Sequence, residues 1–140
     1  MDLKVRFDAA GIDWNLIGGI LKEVGMAHHS GEIHQQAFAS SHAVVFIWDE
    51  DQLIGFGRAI SDGVCQAAFY DVAVLPGYQG KGIGKLIITQ LIGKCRGCNV
   101  ILYASPGKEK FYEKLNFRSI KTAMALFLDP EKMRVRGFTE

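Results

Sequence analysis

Apolar and polar residues alternate along this chain with two different periods, which together predict both strands and helices. Residues 3–7 alternate apolar and charged side chains, a pattern typical of a half-buried strand. A first helix, capped by Asp13, is predicted from apolar residues at three- and four-residue spacing: Trp14, Ile17, Leu21 and Val24. A second short helix is predicted from about residue 30 to residue 40, with three residues facing inward: Ile33, Ala37 and Phe38.

The middle of the chain is rich in β-branched and aromatic residues and predicts an antiparallel meander. Its three strands, joined by short polar turns, cover residues 42–48, 53–60 and 65–75. The remaining elements are predicted in the order helix, strand, helix, strand, over residues 81–95, 100–103, 107–115 and 123–128. The continuously apolar run at 100–103 predicts a buried central strand, parallel to the strand before it through a right-handed crossover. We therefore predict one α/β (α+β) domain over residues 1–140, with a mixed, mostly antiparallel sheet and flanking helices.

The composition is that of an ordinary soluble globular protein, with 49% hydrophobic and 22% charged residues among 140. A formal net charge of +1, without interleaved basic and aromatic residues, argues against nucleic-acid binding and against attraction to an anionic membrane. No apolar run reaches about 18 residues, so no membrane-spanning helix is expected. Aspartates spread through the first twenty residues argue against a signal peptide.

The cysteines and histidines suggest no metal site. The three cysteines cannot all pair within the chain, which favours a reducing, cytoplasmic location. Cys95 and Cys98 have C-x-x-C spacing, but the chain lacks the second pair that a structural zinc site needs. The four histidines are interpreted as ordinary polar positions in or near the first two helices: His28, His29, His34 and His42.

The turn between the third meander strand and the next helix is unusually rich in glycine. The first N–H groups of a helix have no intrahelical acceptor, and the helix dipole places partial positive charge there. Gly80, Gly82 and Gly84 keep side chains away from those donors, while Lys81 and Lys85 add charge nearby. This combination predicts a site for phosphate groups.

Two common nucleotide motifs do not fit this turn. A P-loop requires serine or threonine after its glycine and lysine, but Gly84 and Lys85 are followed by Leu86. A dinucleotide fingerprint starting at Gly80 would require glycine at position 85, where the chain has lysine. The strand before the turn also ends a meander instead of opening a parallel unit.

The turn resembles a signature of the GCN5-related N-acetyltransferase (GNAT) superfamily. Gln79-Gly80-Lys81-Gly82-Ile83-Gly84 matches its Q/R-x-x-G-x-G/A motif, and the preceding Asp71-Val72-Ala73-Val74-Leu75-Pro76 resembles its fourth strand. Phe111-Tyr112-Glu113-Lys114-Leu115-Asn116-Phe117 resembles its F-Y-E-K-x-G-F motif. The resemblance covers roughly residues 42–128. Asn116 replaces the glycine of that motif, and asparagine tolerates the left-handed conformation needed after a helix.

The resemblance implies the GNAT fold and acetyl-CoA as cosubstrate. Main-chain N–H groups from Gln79 to Gly84 would hold the diphosphate, and strand 65–75 would bind the pantetheine arm where it splays from strand 100–103. A main-chain N–H of strand 65–75 would polarise the thioester carbonyl. The residues that the resemblance assigns to the cofactor are Val72, Ala73, Val74, Gln79, Gly80, Lys81, Gly82, Ile83, Gly84, Ser105 and Tyr112.

The resemblance also suggests how protons are moved. Tyr112 occupies the position of an acid that protonates the departing thiolate, although a buried structural tyrosine is the alternative. Histone-type members carry a glutamate base where this chain has Ala68. Regular alternation would put Tyr70 on the substrate face and Asp71 on the opposite face. The base is therefore Tyr70 or ordered water, or Asp71 acting through a neighbour or a water that it orients. The same alternation would put four residues on one face: Ala68, Tyr70, Val72 and Val74.

We therefore expect an N-acetyltransferase that moves acetyl from acetyl-CoA to a primary amine by direct transfer. No cysteine occupies a motif position, so no covalent intermediate is expected. The alternative is a CoA-binding sensor or interaction module without turnover. A small-molecule amine and a protein amine both remain open as acceptors, and a homodimer through the last strands or the tail is compatible with the pattern.

Overall fold

The computed structural model describes residues 1–140, which form two units, Met1–Leu102 and Tyr103–Glu140. The first unit contains, in chain order, β1 (Leu3–Arg6), α1 (Trp14–Glu23), α2 (Gly31–Ala39), β2 (Ala43–Asp49), β3 (Gln52–Ser61), β4 (Gln66–Val74), a 3₁₀ turn (Pro76–Tyr78), α3 (Ile83–Lys94) and β5 (Asn99–Ile101). The second unit contains two short helices, α4 (Glu109–Glu113) and α5 (Pro130–Val135). None of the helices combines the length and apolar composition needed to cross a bilayer.

The first unit is built on one five-stranded sheet in the order β1-β2-β3-β4-β5. Strands β1 to β4 pair antiparallel, and β5 pairs parallel to β4 after the crossover through α3. The predicted mixed, mostly antiparallel sheet is thereby confirmed. Pairing between β4 and β5 covers only Gln66–Ala68 and Asn99–Ile101, so the two strands diverge after three paired residues. The last six residues of β4 have no partner on β5.

Helices cover both faces of this sheet. On one face, α1 and α2 pack an aromatic and aliphatic cluster against β2 and β3, with Phe38, Phe46 and Phe56 at its centre. On the other face, α3 buries four side chains: Ile83, Ile87, Ile88 and Leu91. This fixes the position of α3, and therefore of the turn that precedes it.

The first two helices follow the predicted pattern of buried residues, except that His34 is buried in place of Ile33. Asp13 Oδ1 accepts hydrogen bonds from the N–H groups of Asn15 and Leu16, at 3.1 and 3.4 Å, and caps α1 as predicted. In α2, Phe38 is buried as predicted, but Ile33 is half exposed and its neighbour His34 is buried instead. The expectation that all four histidines are ordinary polar positions is therefore wrong for His34.

From residue 99 onward, two predicted strands need correction and one helix was not predicted. The strand predicted at 100–103 lies at 99–101, and it is an exposed edge strand because only β4 pairs with it. The segment predicted as a strand at 123–128 forms none. Alternating apolar residues become a strand only where another strand pairs with them, and here three of them are almost fully exposed: Met124, Leu126 and Leu128. The tail contains α5, which was not predicted although Asp129 and Pro130 form an ordinary cap and first residue for it.

Candidate functional site

The turn that follows β4 presents unpaired main-chain donors at the N-terminus of α3. Gly82 is the N-cap and provides no side chain. The first intrahelical hydrogen bond is donated by the N–H of Leu86 to the carbonyl of Gly82 at 3.0 Å. The N–H groups of the three intervening residues therefore have no acceptor within the helix. No acidic residue lies in the first turn, so the positive end of the helix dipole is not neutralised locally.

The glycines at this turn are required by backbone conformation and not by packing. Gly80 and Gly82 have φ values of 76° and 83°, in the left-handed region that favours glycine. A Cβ atom built on either residue would meet nothing within 4 Å. The surface above both residues is therefore open, as a cradle for a phosphate group must be. A diphosphate fits the donor set because its oxygens are acceptors only.

Side chains on both sides hold this turn in place. The Gln79 side chain donates from Nε2 to the carbonyl of Val74 at 3.0 Å, which links the turn to the end of β4. The Tyr78 hydroxyl donates to Asp49 Oδ2 at 2.7 Å, which links the turn to the end of β2. The N–H of Gln79 donates to Pro76 at 3.2 Å. That amide is thus already engaged, and the free donors of the predicted Gln79–Gly84 set lie nearer the helix.

A β-bulge interrupts the regular pairing of β4 with β3. Tyr70 pairs with Arg58 and Ala73 pairs with Phe56, so three steps along β4 match two steps along β3. Asp71 supplies the extra residue with a left-handed φ of 56°. The main chain of β4 is therefore twisted at the level where β5 no longer pairs with it.

The bulge changes which side of the sheet the end of β4 faces. The guanidinium carbon of Arg58 lies 5.5 Å from the Tyr70 ring and 5.8 Å from the Phe38 ring, so Tyr70 is on the α1–α2 side. The Cγ2 atom of Val72 is 3.1 Å from a Cβ built on Gly57, in a space bordered by α3. The prediction that one face carries four residues is therefore wrong, because alternation by twos assumes unbroken pairing between the strands. Those four residues are Ala68, Tyr70, Val72 and Val74.

Asp71 is engaged in an ion pair that the sequence did not reveal. Arg58 Nε donates to Asp71 Oδ2 at 2.7 Å, and the two side chains are 15% and 20% exposed. Arg58 was not among the predicted site residues. Its only signal was a charge within a largely apolar strand, where a charged side chain needs a partner.

His34 lies near the same ion pair. It is 2% exposed, and its Nε2 accepts a hydrogen bond from the N–H of His29 at 2.9 Å. Burial lowers the pKa of His34 below its ordinary value, with an opposing effect from Asp71. The imidazole is therefore held in its neutral form, with the proton on Nδ1.

Tyr112, the predicted acid, belongs to the second unit and lies on α4. Its ring contacts those of Phe111 and Phe117, with centroid separations of 4.9 and 5.7 Å. Burial raises the pKa of its hydroxyl above the ordinary value, so the proton is retained at neutral pH. Ser105 lies in the loop before α4, and its carbonyl accepts a hydrogen bond from the N–H of Lys108 at 2.9 Å.

Asn116 completes the end of α4 in the manner expected of a glycine. Its φ is 70°, and its N–H donates to the main-chain carbonyl of Glu113 at 3.0 Å. The N–H of Phe117 donates to the main-chain carbonyl of Tyr112 at 3.1 Å. This pair of bonds is a Schellman motif, and the prediction that asparagine supplies the left-handed residue is confirmed.

The cysteines form no second site. All three are free thiols, and burial raises the pKa of the Cys95 thiol, which disfavours a reactive thiolate. No group of histidine, cysteine, aspartate or glutamate side chains is arranged to hold a metal ion.

Comparison with known proteins identifies similar sequences and folds. Residues 40–119 match the profile of the acetyltransferase (GNAT) domain family. The chain is 31% identical over 144 aligned positions to serotonin N-acetyltransferase 2, chloroplastic, of Oryza sativa subsp. japonica, covering 96% of this chain and 66% of the rice protein. It spans 40% of an uncharacterized N-acetyltransferase, ycf52, of Pyropia yezoensis. The chain is thus shorter than these curated relatives.

Solved structures share the fold. A probable acetyltransferase of meticillin-resistant Staphylococcus aureus superposes with a TM-score of 0.78 at 27% identity, covering 91% of this chain and 98% of that one. Glucosamine-6-phosphate N-acetyltransferase from Arabidopsis thaliana superposes with a TM-score of 0.70 at 20% identity, covering 92% of this chain and all of that chain (100%). The second likeness concerns the fold alone.

Proposed function

Because this chain belongs to the GNAT acetyltransferase family, we propose that it transfers acetyl from acetyl-CoA directly to a primary amine. The observation that carries the proposal is the uncapped N-terminus of α3, which follows two left-handed glycines, Gly80 and Gly82, with open space above them. Free amide donors, a helix dipole and nearby Lys81 and Lys85 together suit the diphosphate of coenzyme A. When bound, the cosubstrate supplies an activated acetyl thioester.

The open edge of β4 supports the same proposal. Beyond Ala68, this edge is not paired with β5, and an extended ligand can hydrogen-bond to such an edge as an added strand. Main-chain groups of Val72, Ala73 and Val74 are the candidates for that role. The Val74 carbonyl already accepts from Gln79. Ala73 lies opposite Phe56 on β3, in the register that the Leu75 N–H continues by donating to the carbonyl of Ile54 at 2.8 Å, so the N–H of Val74 and the groups of Val72 are the stronger candidates.

Two proton transfers are assigned, one from the Tyr112 hydroxyl and one to water. The raised pKa of Tyr112 keeps its hydroxyl protonated and able to donate to a leaving thiolate. Asp71 is paired with Arg58, and Ala68 provides no carboxylate. Without a free carboxylate on β4, solvent is the proposed acceptor of the proton of the amine, with Tyr70 as the side-chain alternative. The rate is therefore expected to rise with pH toward the pKa of the amine, about 10.4 for a lysine-like group.

Calorimetric titration with coenzyme A tests the binding part of this proposal. Gly82→Ala is expected to weaken binding at least about tenfold, since a Cβ at this φ strains the turn and stands above the donors. Gly97→Ala is the matched control. Gly97 also has a φ of 83° and open space around it, but it follows the other end of α3. Absence of heat with the unaltered chain, or equal losses in both variants, would contradict the proposed diphosphate site.

Release of thiol from acetyl-CoA across a panel of amines tests turnover. The panel includes serotonin and glucosamine-6-phosphate, which the names of two similar proteins specify, together with peptide and simple alkyl amines. The alternative, a CoA-binding module without turnover, gains support from the missing carboxylate on β4. A chain that binds coenzyme A but releases no thiol with any amine would be this module.

Tyr112→Phe separates the acid from the binding site. We expect thiol release to fall about a hundredfold, because general acid catalysis contributes factors of that order. Affinity for coenzyme A should fall much less than thiol release, because the main-chain donors proposed for the diphosphate at the N-terminus of α3 are unchanged. Full activity of the variant would assign Tyr112 to the alternative, structural role.

A further inference from the structure

The ion pair between Arg58 and Asp71 is built into its surroundings more firmly than a surface pair. Besides the 2.7 Å bond to Asp71, Arg58 Nη1 donates to Ser41 Oγ at 3.4 Å. The guanidinium also lies over the rings of Phe38 and Tyr70, with 5.8 and 5.5 Å between its carbon and the ring centroids. Contacts from α2, from the residues just after it and from β4 therefore orient this one arginine of β3 towards one carboxylate.

The carboxylate belongs to the residue that deforms β4. A left-handed φ is uncommon for residues other than glycine and persists where the surrounding structure imposes it. Aspartate tolerates this conformation better than most residues. The contact with Arg58 is the bond that joins the Asp71 side chain to the neighbouring strand. It is therefore the contact best placed to hold the bulge in this form.

The bulge also lies at the open edge of the sheet. β5 pairs with Gln66–Ala68 only, and the bulge begins three residues after Ala68. Gly57 on β3 faces both Asp71 and Val72, because three steps on β4 match two on β3. The direction of the main-chain amides at this edge consequently depends on the geometry of the bulge.

We propose that Arg58 is a positioning residue: through its ion pair with Asp71 it fixes the bulge and thereby the direction in which the amides of β4 face the thioester. The inference rests on the proposed function, in which this edge receives the acetyl-bearing arm. It assigns Asp71 a role in holding the strand, in place of the role of a general base. His34, Ser41, Phe38 and Tyr70 are the groups that border the pair.

The test compares variants that break the pair without forbidding the bulge. Asp71→Asn keeps the size and the tolerance for a left-handed φ but removes the charge. Arg58→Met keeps much of the length of the arginine, and Arg58→Lys keeps the charge. Glu131→Gln is the matched control, since it breaks the Glu131–Arg134 pair on α5, whose side chains are 71% and 53% exposed.

In the first readout, kcat/KM for acetyl-CoA should fall at least about tenfold in Asp71→Asn and in Arg58→Met, mainly through kcat. The dissociation constant for coenzyme A should change less than kcat, because the diphosphate donors at the turn before α3 are unaltered. The double variant should be no worse than the poorer single variant, because both act through one bond. Arg58→Lys should recover part of the activity, and Glu131→Gln should match the unaltered chain.

The second readout is amide hydrogen exchange across residues 69–75, which does not depend on turnover. We expect faster exchange in Asp71→Asn, confined to this segment. Exchange at the unaltered rate, or unchanged kcat/KM in both single variants, would overturn the inference. A parallel loss of coenzyme A affinity, thermal stability and kcat would also overturn it, since that is the pattern of a merely structural pair. If the unaltered chain binds coenzyme A but releases no thiol, the proposed function fails, and the exchange experiment alone decides whether the pair holds the bulge.

Discussion

Gly57→Ala offers a stringent test of how closely α3 approaches the sheet. A Cβ built on Gly57 lies 2.9 Å from Ile87 Cγ2, 3.1 Å from Val72 Cγ2 and 3.3 Å from Leu91 Cδ1. The first contact is closer than two carbon atoms tolerate. It involves a branched methyl group next to the helix backbone, in a side chain that is fully buried. Such a methyl group has little rotamer freedom with which to move away.

The expected cost follows from this crowding. Inserting one methyl group into a well-packed interior typically costs about 1–3 kcal/mol. For a chain of this length, each kcal/mol lowers the melting temperature by about 3 °C, so Gly57→Ala should melt about 3–9 °C lower. Because the helix must shift to relieve the contact, affinity for coenzyme A at the N-terminus of α3 should weaken as well.

Gly19→Ala is the matched control for this substitution. Gly19 lies in the interior of α1, and a Cβ there would meet nothing within 4 Å. Alanine should therefore stabilise the chain by about 0.5–1 kcal/mol, through its better helix propensity. Both variants can be compared by thermal and urea unfolding monitored by circular dichroism. If Gly57→Ala proved as stable as the unaltered chain, the packing of α3 on β3 described above would be wrong.

Three further predictions concern single side chains. Because burial lowers the pKa of His34, its contribution to stability is complete above the ordinary value of 6.5 and is lost as the pH falls below it. The midpoint of urea unfolding should therefore depend less on pH below 6.5 in His34→Gln than in the unaltered chain. Hydrogen bonds, first that from Tyr78, lower the pKa of Asp49, so the stability lost in Tyr78→Phe at neutral pH should shrink as the pH falls below 3.8; a difference that is constant with pH would contradict this. Asn116→Ala should cost about 1 kcal/mol because its φ is left-handed, whereas Asn116→Gly should cost little, and equal unfolding midpoints would refute the role of the Schellman turn.

The elements that sequence patterns predicted well are those with local causes. Asp13 caps α1 through its own side chain, and the meander follows from alternation and turn residues. The glycine-rich turn was predicted for the same reason, because the left-handed φ at Gly80 and Gly82 and the absent cap are properties of that segment. Such features need no knowledge of distant residues.

The features that were missed depend on partners far along the chain. The Asp71 bulge is stabilised by an arginine thirteen residues earlier, and β4 has no glycine or proline to indicate it. His34 is buried by the packing of α2 on the rest of the first unit, although its position resembles a polar one. The segment 123–128 has a strand pattern, but whether it becomes a strand depends on pairing. In contrast, α5 could have been predicted from Asp129 and Pro130.

The extra residue in β4 determines what a deletion in this strand would change. Removing one residue between Tyr70 and Ala73 would restore even pairing with β3 and leave both flanking segments on their present sides, because two steps on each strand would then match. Val74 would stay opposite Gly55 beneath α3. We therefore expect such a deletion to preserve the sheet and to remove only the bulge at its open edge, whereas a further inserted residue would move the rest of β4 out of register with β3.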